Sequence, residues 1–413
     1  MDIIIGAGVT GLSFAMFTHT PYTILERECE YGGYCRTIKQ DGFVWDYSGH
    51  FFHFQDADIR DLVLAPIASE RLKTVMKVTK ILYKGCYVDF PFQKNIHQLP
   101  QQEFIDCLYD FVFADNSGTA INFKDMVYKK FGKSISEKFL VPYNEKLYAC
   151  DLNCLDANAM GRFFPQTSLE EMIRSFKVLD NSSYNSTFIY PTGGAIDYVD
   201  SIAARTESDK ISYSTKVNKI NTEDHIAYTD SGKFHYDRLI STIPFPDLLR
   251  FCNIAHDPLI YSSNKVLVFN LGFDRKGVDT KTSWIYFPEK HYSFYRVGFY
   301  DNILSADRLS IYVEVGFSKS VELTDPKTIM CNILIDLAKA GIIRNERLIS
   351  YNFVIMDPAY VHISKRSIAD VAEKKKTLEK MDIYSIGRYG SWTYCSIEDN
   401  IKEARELAFK LNR

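Results

Sequence analysis

Four residues near the start of the chain have the types and spacing to hold a dinucleotide. Gly6, Gly8 and Gly11 make the GxGxxG pattern of "GAGVTG". Glu26 follows at about 20 residues, the spacing of a ribose-binding acid. In such a motif the first glycine permits a tight turn and the second lets the backbone approach a pyrophosphate. The third allows close helix–strand packing, and the helix N-terminus favours the phosphate charge. "YGGYCRT" then adds Gly32, Gly33 and Arg36. Alone, this stretch is an ordinary turn with a solvated arginine. Just after a ribose acid it reads as a further backbone approach to the same extended ligand, with Arg36 on the pyrophosphate. An NAD site usually lacks that second element, so FAD is the expected cofactor. A second constellation lies far downstream, in "WIYFPEKHYSFYR", which carries Tyr286 and Arg296. A strand built only for packing needs neither. A buried hydroxyl or guanidinium costs energy unless something hydrogen-bonds it, so the pair predicts a polar guest.

The elements that must position these groups follow from the pattern. Residues 2 to 5 predict a buried strand, residues 10 to 18 a helix, and "YTILERE" a second strand ending at Glu26, together the opening of a βαβ unit. Residues 100 to 175 predict mainly helix, from the apolar spacing in "EFIDCLYDFVF" and "FKDMVYKKFG". "KVNKINTEDHIAYTDSGKFHYDRLISTIP" predicts short strands returning to the first domain, with Val217 near an adenosine. Residues 255 to 360 predict mixed sheet and helix, with strands at "KVLVFNLGF" and "LSIYVEVGF". A strand and glycine turn in "DIYSIGRYGSW" precede a closing helix. The expected fold is α/β: a discontinuous Rossmann-like FAD-binding domain (1–75, 190–250 and 375–413), a mainly helical substrate-binding subdomain (76–189) and a mixed-sheet substrate domain (251–374).

Composition sets bounds on partners. With 413 residues the chain is long enough for two or three sub-domains. A net charge of −3 gives no overall basic footprint for nucleic acid. The nine cysteines are scattered and odd in number, which argues against a disulfide framework or a structural zinc site and fits a reducing cytoplasm. No HExxH or paired-cysteine motif predicts a metal. Asp2 stands where a signal peptide would be basic, and no segment is apolar and long enough to insert in a membrane.

The motifs "DYSGHFF", "VDFPFQKNI", "FLVPYNEKLYA", "GRFFP", "NSTFIYPTGG", "WIYFPEKHYSFYR", "DPAYVHIS" and "GRYGSWTY" occur in order along the chain. With "GAGVTGL" they resemble, nearly end to end, the flavin-dependent UDP-galactopyranose mutases, the eukaryotic-type branch more than the bacterial one. "GAGVTGL" and "GRYGSWTY" are shared with amine oxidases and protoporphyrinogen oxidases; the motifs between them are more specific.

The resemblance implies a UDP-sugar substrate. Tyr286, Arg296, Tyr360 and Tyr394 match positions that bind its diphosphate, and Arg162 one that meets the diphosphate near the sugar. Charge-assisted arginine donors and directional phenol hydroxyls suit such a group. With 27 tyrosines in the chain, any one alone is a core or surface residue; the five gain meaning as a set. Phe90 and Phe92 match the uracil end, where Gln93 would read the base edge. Asn144 and Tyr148 match nucleotide contacts, and Asn185 a residue near the galactose. His50 matches a histidine beside the flavin, and Arg27, Gly49, Arg388, Glu398 and Asp399 fall at flavin-side positions. Two departures stand out: Ser48 replaces a usual glycine before His50, and Glu398 stands where a polar amide is usual.

The implied reaction interconverts UDP-galactopyranose and UDP-galactofuranose, or a close UDP-sugar, by attack of reduced flavin N5 on the anomeric carbon. Arg162 and Arg296 would hold the departing UDP, His50 would support the reduced flavin, and NADPH or NADH would reduce it. The resemblance leaves a homo-oligomer open. An FAD-dependent oxidase of the amine or protoporphyrinogen type is the alternative, and a non-catalytic flavin-binding protein a third reading.

Overall fold

The computed structural model describes residues 1–177 and 186–412. The run Asp2–Ile5 is buried at every position and becomes the central strand of a five-stranded parallel sheet. Its neighbours are Tyr22–Leu25 on one side and Arg238–Ser241 on the other, with Ile211–Ser212 and Ile383–Ser385 at the edges. Strands from the start, middle and end of the chain thus share one sheet. The helix Val9–Phe17 is apolar on all sides because it is covered on both: Ile397–Leu411 and Ile196–Ala203 pack against it. The predicted strand, helix and second strand fall within a residue of their expected bounds.

The second large element is a seven-stranded mixed sheet. Its order is Leu348–Met356, Asn264–Phe273, Ser310–Ser318, Arg296–Phe299, Trp284–Tyr286, Thr79–Tyr83 and Cys86–Asp89. The last two strands lie inside the span expected to be mainly helical. They form a hairpin at Lys84–Gly85, both in the left-handed region (φ 47° and 75°), the conformation a two-residue hairpin turn requires. Thr79–Tyr83 then pairs in parallel with Trp284–Tyr286. This hairpin joins the helical part of the chain to the sheet. The helices Gln101–Val112, Phe123–Ile135 and Val141–Tyr148 follow it.

Asn264 fastens these parts together. It is fully buried at the start of its strand. Its side-chain nitrogen donates to the Leu147 carbonyl (2.6 Å), and its side-chain oxygen accepts from the Tyr360 amide (2.7 Å). One amide therefore fixes the end of Val141–Tyr148 against the segment carrying Tyr360. Among the described residues, no helix is long and apolar enough to cross a membrane.

Candidate active site

The glycine loop is built for close approach. Gly6 sits at φ 101°, a conformation that favours glycine, and its amide donates to Leu25 (2.9 Å). A Cβ on Gly11 would stand 2.0 Å from the Gly6 carbonyl oxygen. Gly8 opens the helix with ordinary φ (−81°), and a Cβ there would meet only the Gly33 Cα, at 4.0 Å. Gly32 and Gly33 both have positive φ, and the Gly32 amide donates to the Ala7 carbonyl (2.9 Å). Two glycine turns therefore face each other at the N-terminus of Val9–Phe17, the end of a helix that favours an anion.

Glu26 is buried, and its carboxylate accepts from the Ala7 amide (2.6 Å) and the Glu28 amide (2.9 Å). It holds the loop in shape. The Glu26 carbonyl accepts from the Thr215 amide (2.7 Å), which brings the segment leading to Val217 alongside. Arg36 donates to the Gly33 carbonyl (3.0 Å) and pairs with Glu30. Arg27 stands apart: it is exposed and paired with Glu28 (3.0 Å), so the structure places it on the surface rather than in the cleft.

The "GRYG" turn reaches the same place from the far end of the chain. A Cβ on Gly387 would stand 2.6 Å from the Thr10 hydroxyl, at the first turn of the glycine helix. The Arg388 amide donates to Asn400 (2.7 Å). The Arg388 guanidinium lies over the rings of Tyr394 (4.7 Å) and Tyr360 (5.4 Å), and its Nε is buried without a hydrogen-bond partner. Among the described residues no carboxylate forms an ion pair with it. Glu398 does not present a loose charge: it accepts from the amides of Gln55 (2.8 Å) and Asp56 (2.6 Å) and pairs with Lys402 (3.3 Å). Asp399 is engaged by Arg162 (2.7 Å) and by the Ser396 cap.

The polar row of the second sheet is set by register. Tyr286 lies directly opposite Arg296, and Arg296 directly opposite Glu314. Directly opposed side chains share a face. Arg296 donates through Nε (2.7 Å) and Nη2 (2.6 Å) to the two Glu314 oxygens, a bidentate pair with both side chains largely buried. Burial opposes the guanidinium charge, but Glu314 prevails and holds the Arg296 pKa above its ordinary value. Burial likewise opposes the Glu314 charge, and Arg296 pulls that pKa down. Ser48 is drawn in as well, its hydroxyl bonded to Glu314. Nη1 of Arg296, with its two hydrogens, has no hydrogen-bond partner among the described residues. One step along the same face, Gly298 and Gly49 leave room for the Tyr312 ring, which a Cβ on either would strike.

Aromatic contacts link the row to its surroundings. Tyr286 meets Phe90 (5.4 Å) and Tyr143 (4.9 Å) edge-on, and its hydroxyl accepts from the Trp284 indole (3.0 Å). Tyr360 stacks on Tyr394 (6.1 Å) and meets Tyr148 edge-on (5.7 Å). Phe163 touches Tyr394 (5.2 Å), and Arg162 lies over Phe163 (4.9 Å), half exposed. The structure thus gathers Tyr286, Arg296, Tyr360, Tyr394, Arg388 and Arg162. Phe92 is different: it is fully buried, stacked on Phe139 (5.2 Å) with Tyr83 at its edge (6.0 Å). It serves the helical core, and its neighbour Phe90 is the ring that reaches Tyr286. Gln93 is buried with Nε2 on the Pro165 carbonyl (2.6 Å), and Asn144 with Nδ2 on the Leu140 carbonyl (2.6 Å); the oxygen of each is left without a partner. Asn185 lies outside the described residues.

His50 completes the arrangement. Its amide donates to the Ser48 carbonyl (2.7 Å), while its Nδ1 is buried and unpartnered. Burial, then the Arg388 charge, lowers its pKa to about 4; nearby His53 is lowered to about 4 by burial and then Lys77. Both are neutral at pH 7. Buried polar atoms rarely go unpaired in folded proteins. Orphans on His50, Arg388, Gln93 and Asn144 fit a guest with matching groups, and the paired glycine turns fit a flavin dinucleotide.

The histidine shifts predict a stability profile. An unfolded histidine takes up a proton near pH 6.5, while the folded ones resist until about pH 4. Stability is therefore fully present above pH 6.5 and falls as pH drops through that window, by roughly 2 kcal/mol per histidine at pH 5. Urea unfolding at pH 7 and pH 5 checks this. His97 and His362 are also lowered by burial, so His53→Gln should shrink the loss by roughly 2 kcal/mol rather than abolish it; an unchanged loss would reject the assignment.

Glu314, Tyr143 and Asn264 are site-building residues that the sequence motifs did not single out. The signal for Glu314 was present: one acid in the apolar strand "LSIYVEVGF". A family model described as flavin containing amine oxidoreductase matches residues 18–350. Among solved structures, a reduced UDP-galactopyranose mutase superposes with a TM-score of 0.90 at 24% identity, covering 99% of this chain and 93% of that one. A putative protoporphyrinogen oxidase from Exiguobacterium gives a TM-score of 0.79 at 18% identity, covering 100% and 98%. Cyclohexylamine oxidase from Brevibacterium oxydans gives 0.71 at 13% identity, covering 100% and 99%.

Proposed function

Because the chain belongs to the flavin-containing amine oxidoreductase family, we propose that it is a flavin-dependent isomerase interconverting UDP-galactopyranose and UDP-galactofuranose, or a close UDP-sugar. The observation that carries this reading is the charge of the aromatic cluster. Arg296 is neutralised by Glu314 and Arg162 by Asp399, but Arg388 has no carboxylate partner among the described residues, which leaves the cluster with a net positive charge. An amine substrate is a cation and would be repelled there. A diphosphate is an anion with many acceptor oxygens, and arginines and phenols are its natural donors. The likeness to the reduced mutase structure supports the same choice.

The groups that would hold the flavin are Gly6, Gly8, Gly11, Gly33, His50 and Arg388, with Glu26 and Val217 toward the adenosine. The chemistry a bound reduced flavin supplies is a nucleophilic nitrogen for the anomeric carbon. The chain does the rest. Arg296 offers Nη1 to the diphosphate while Glu314 and Ser48 keep the guanidinium plane fixed. Arg162 exchanges Asp399 for a phosphate oxygen. Together they stabilise the departing UDP and keep it in place for recombination. Burial raises the pKa of Tyr286 and of Tyr360, so both stay protonated as donors, with Tyr394 stacked beside Tyr360; Phe90 with Gln93 and Asn144 would receive the uridine. Neutral His50 offers one donor and one acceptor beside the ring. NADPH or NADH would reduce the flavin.

The test is conversion of UDP-galactofuranose to UDP-galactopyranose, followed by chromatography, with the flavin reduced anaerobically by dithionite. Conversion is expected in the reduced sample and not in the oxidised control. Catalytic oxygen consumption with an amine or porphyrinogen, together with no UDP binding, would replace this reading with an oxidase.

A further inference from the structure

We propose that Cys150, Cys154 and His362 form a site for a zinc-class divalent cation, with water as the fourth ligand. The two thiols follow the helix Val141–Tyr148, which ends in a left-handed turn at Ala149 (φ 51°). His362 lies 214 residues beyond Tyr148, on the segment bridged to Ser263 through Val361. Their ligand atoms all stand within 4.8 Å of one another, and among the described residues this is the one such group.

The spacing distinguishes a cation from a disulfide. The two sulfurs are 3.6 Å apart. Two thiolates on a tetrahedral zinc, each at about 2.3 Å, stand about 3.8 Å apart, whereas bonded sulfurs stand at about 2.05 Å. The histidine ring is fixed by a hydrogen bond at each nitrogen, so taking up a cation exchanges one of them. Nε2 faces the Tyr148 carbonyl (2.9 Å) and Nδ1 the Ser262 hydroxyl (3.0 Å). Whichever nitrogen turns to the cation, the other keeps an oriented partner. Two sulfurs and one imidazole suit zinc better than magnesium or calcium, which prefer oxygen. Cys154 is exposed and gives an entry path. On binding, both thiols would release their protons to solvent.

Such a cation would tie the end of the helix bearing Asn144 and Tyr148 to the segment bearing Tyr360. It does not depend on which substrate that site takes.

The test is titration of the full, flavin-containing chain with Co²⁺, with its cysteines kept reduced by a phosphine. One Co²⁺ per chain is expected, with tetrahedral bands in the red, beyond flavin absorption, and a thiolate charge-transfer band. Cys154→Ser is at an exposed position and is expected to keep the fold; it should lose about half the charge-transfer intensity and bind at least ~10-fold more weakly. Cys150→Ser/Cys154→Ser should lose the bands, with flavin content as the check on folding. Zinc should also slow alkylation of Cys154 in the unaltered chain. Absence of bands, bands that survive in the double variant, or recovery of a Cys150–Cys154 disulfide from zinc-supplied protein would overturn the proposal.

Discussion

An Arg296→Ala enzyme is expected to bind UDP at least ~100-fold more weakly and to isomerise roughly 1,000-fold more slowly, since a hydrogen bond to a charged group contributes about 1.5–3 kcal/mol and a lost anion-stabilising donor costs about 100- to 1,000-fold in turnover. The same change strands Glu314, which is 1% exposed, without its bidentate partner. Breaking one side of a buried pair costs about 3–5 kcal/mol of stability. The two effects must therefore be separated. In Arg296→Ala/Glu314→Gln the stranded charge is removed, so thermal stability should recover while UDP binding stays lost. Arg296→Lys keeps a charge but not the planar fork, and should recover only part of either. A fluorescence titration with UDP and a calorimetric melt read the two quantities independently. Normal UDP affinity in the double variant would reduce Arg296 to a structural partner of Glu314.

The second large effect concerns the glycine loop, where neighbouring glycines should fail in different ways. Alanine at position 11 would place its Cβ 2.0 Å from the Gly6 carbonyl oxygen and 3.2 Å from its carbon. Those are backbone atoms just past the end of the central strand, so relief requires the strand and helix to separate. Gly11→Ala should lose both flavin and stability, by more than the ~1–3 kcal/mol typical of an overpacked side chain. Alanine at position 8 meets nothing closer than 4.0 Å and needs no unusual φ. Gly8→Ala should therefore melt like the unaltered chain yet purify with little flavin, because its methyl would stand where the loop is proposed to approach the pyrophosphate. Flavin-to-protein ratios and melting temperatures of the two proteins decide the matter. Full flavin occupancy in Gly8→Ala would move the dinucleotide away from this loop.

How much of this was legible beforehand depends on the range of the signal. The strand Asp2–Ile5, the helix Val9–Phe17 and the closing helix Ile397–Leu411 are local patterns, legible from the apolar run, the glycine motif and the residue types along each segment. The hairpin of Thr79–Tyr83 and Cys86–Asp89 is local too, but its Lys84–Gly85 turn is short and its first strand pairs with Trp284–Tyr286, far along the chain. Glu314 looked like one polar interruption of an apolar strand until register set it against Arg296. Phe92 and Phe90 look equivalent in "FPFQ", and only packing shows that one belongs to the core. Arg27 follows the ribose acid directly, yet it turns outward to Glu28. Neither spacing nor motif could bring His362 to Cys150 and Cys154, since that depends on the segment joined through Asn264 and Ser263.

The cross-strand row of Tyr286, Arg296 and Glu314 has a consequence for how such a protein can acquire new specificities. A slip of one residue in any of the three strands would send every side chain of that strand to the opposite face. The anion-holding machinery can therefore not be adjusted by degrees; it is inherited whole or lost whole. Phe90, Gln93 and Arg162 lie outside the strands of that sheet, on loops and short turns where single substitutions leave the pairing intact. If the proposed UDP-sugar is the ligand, diversification should therefore be fastest at its base and sugar ends, with the diphosphate remaining the common handle.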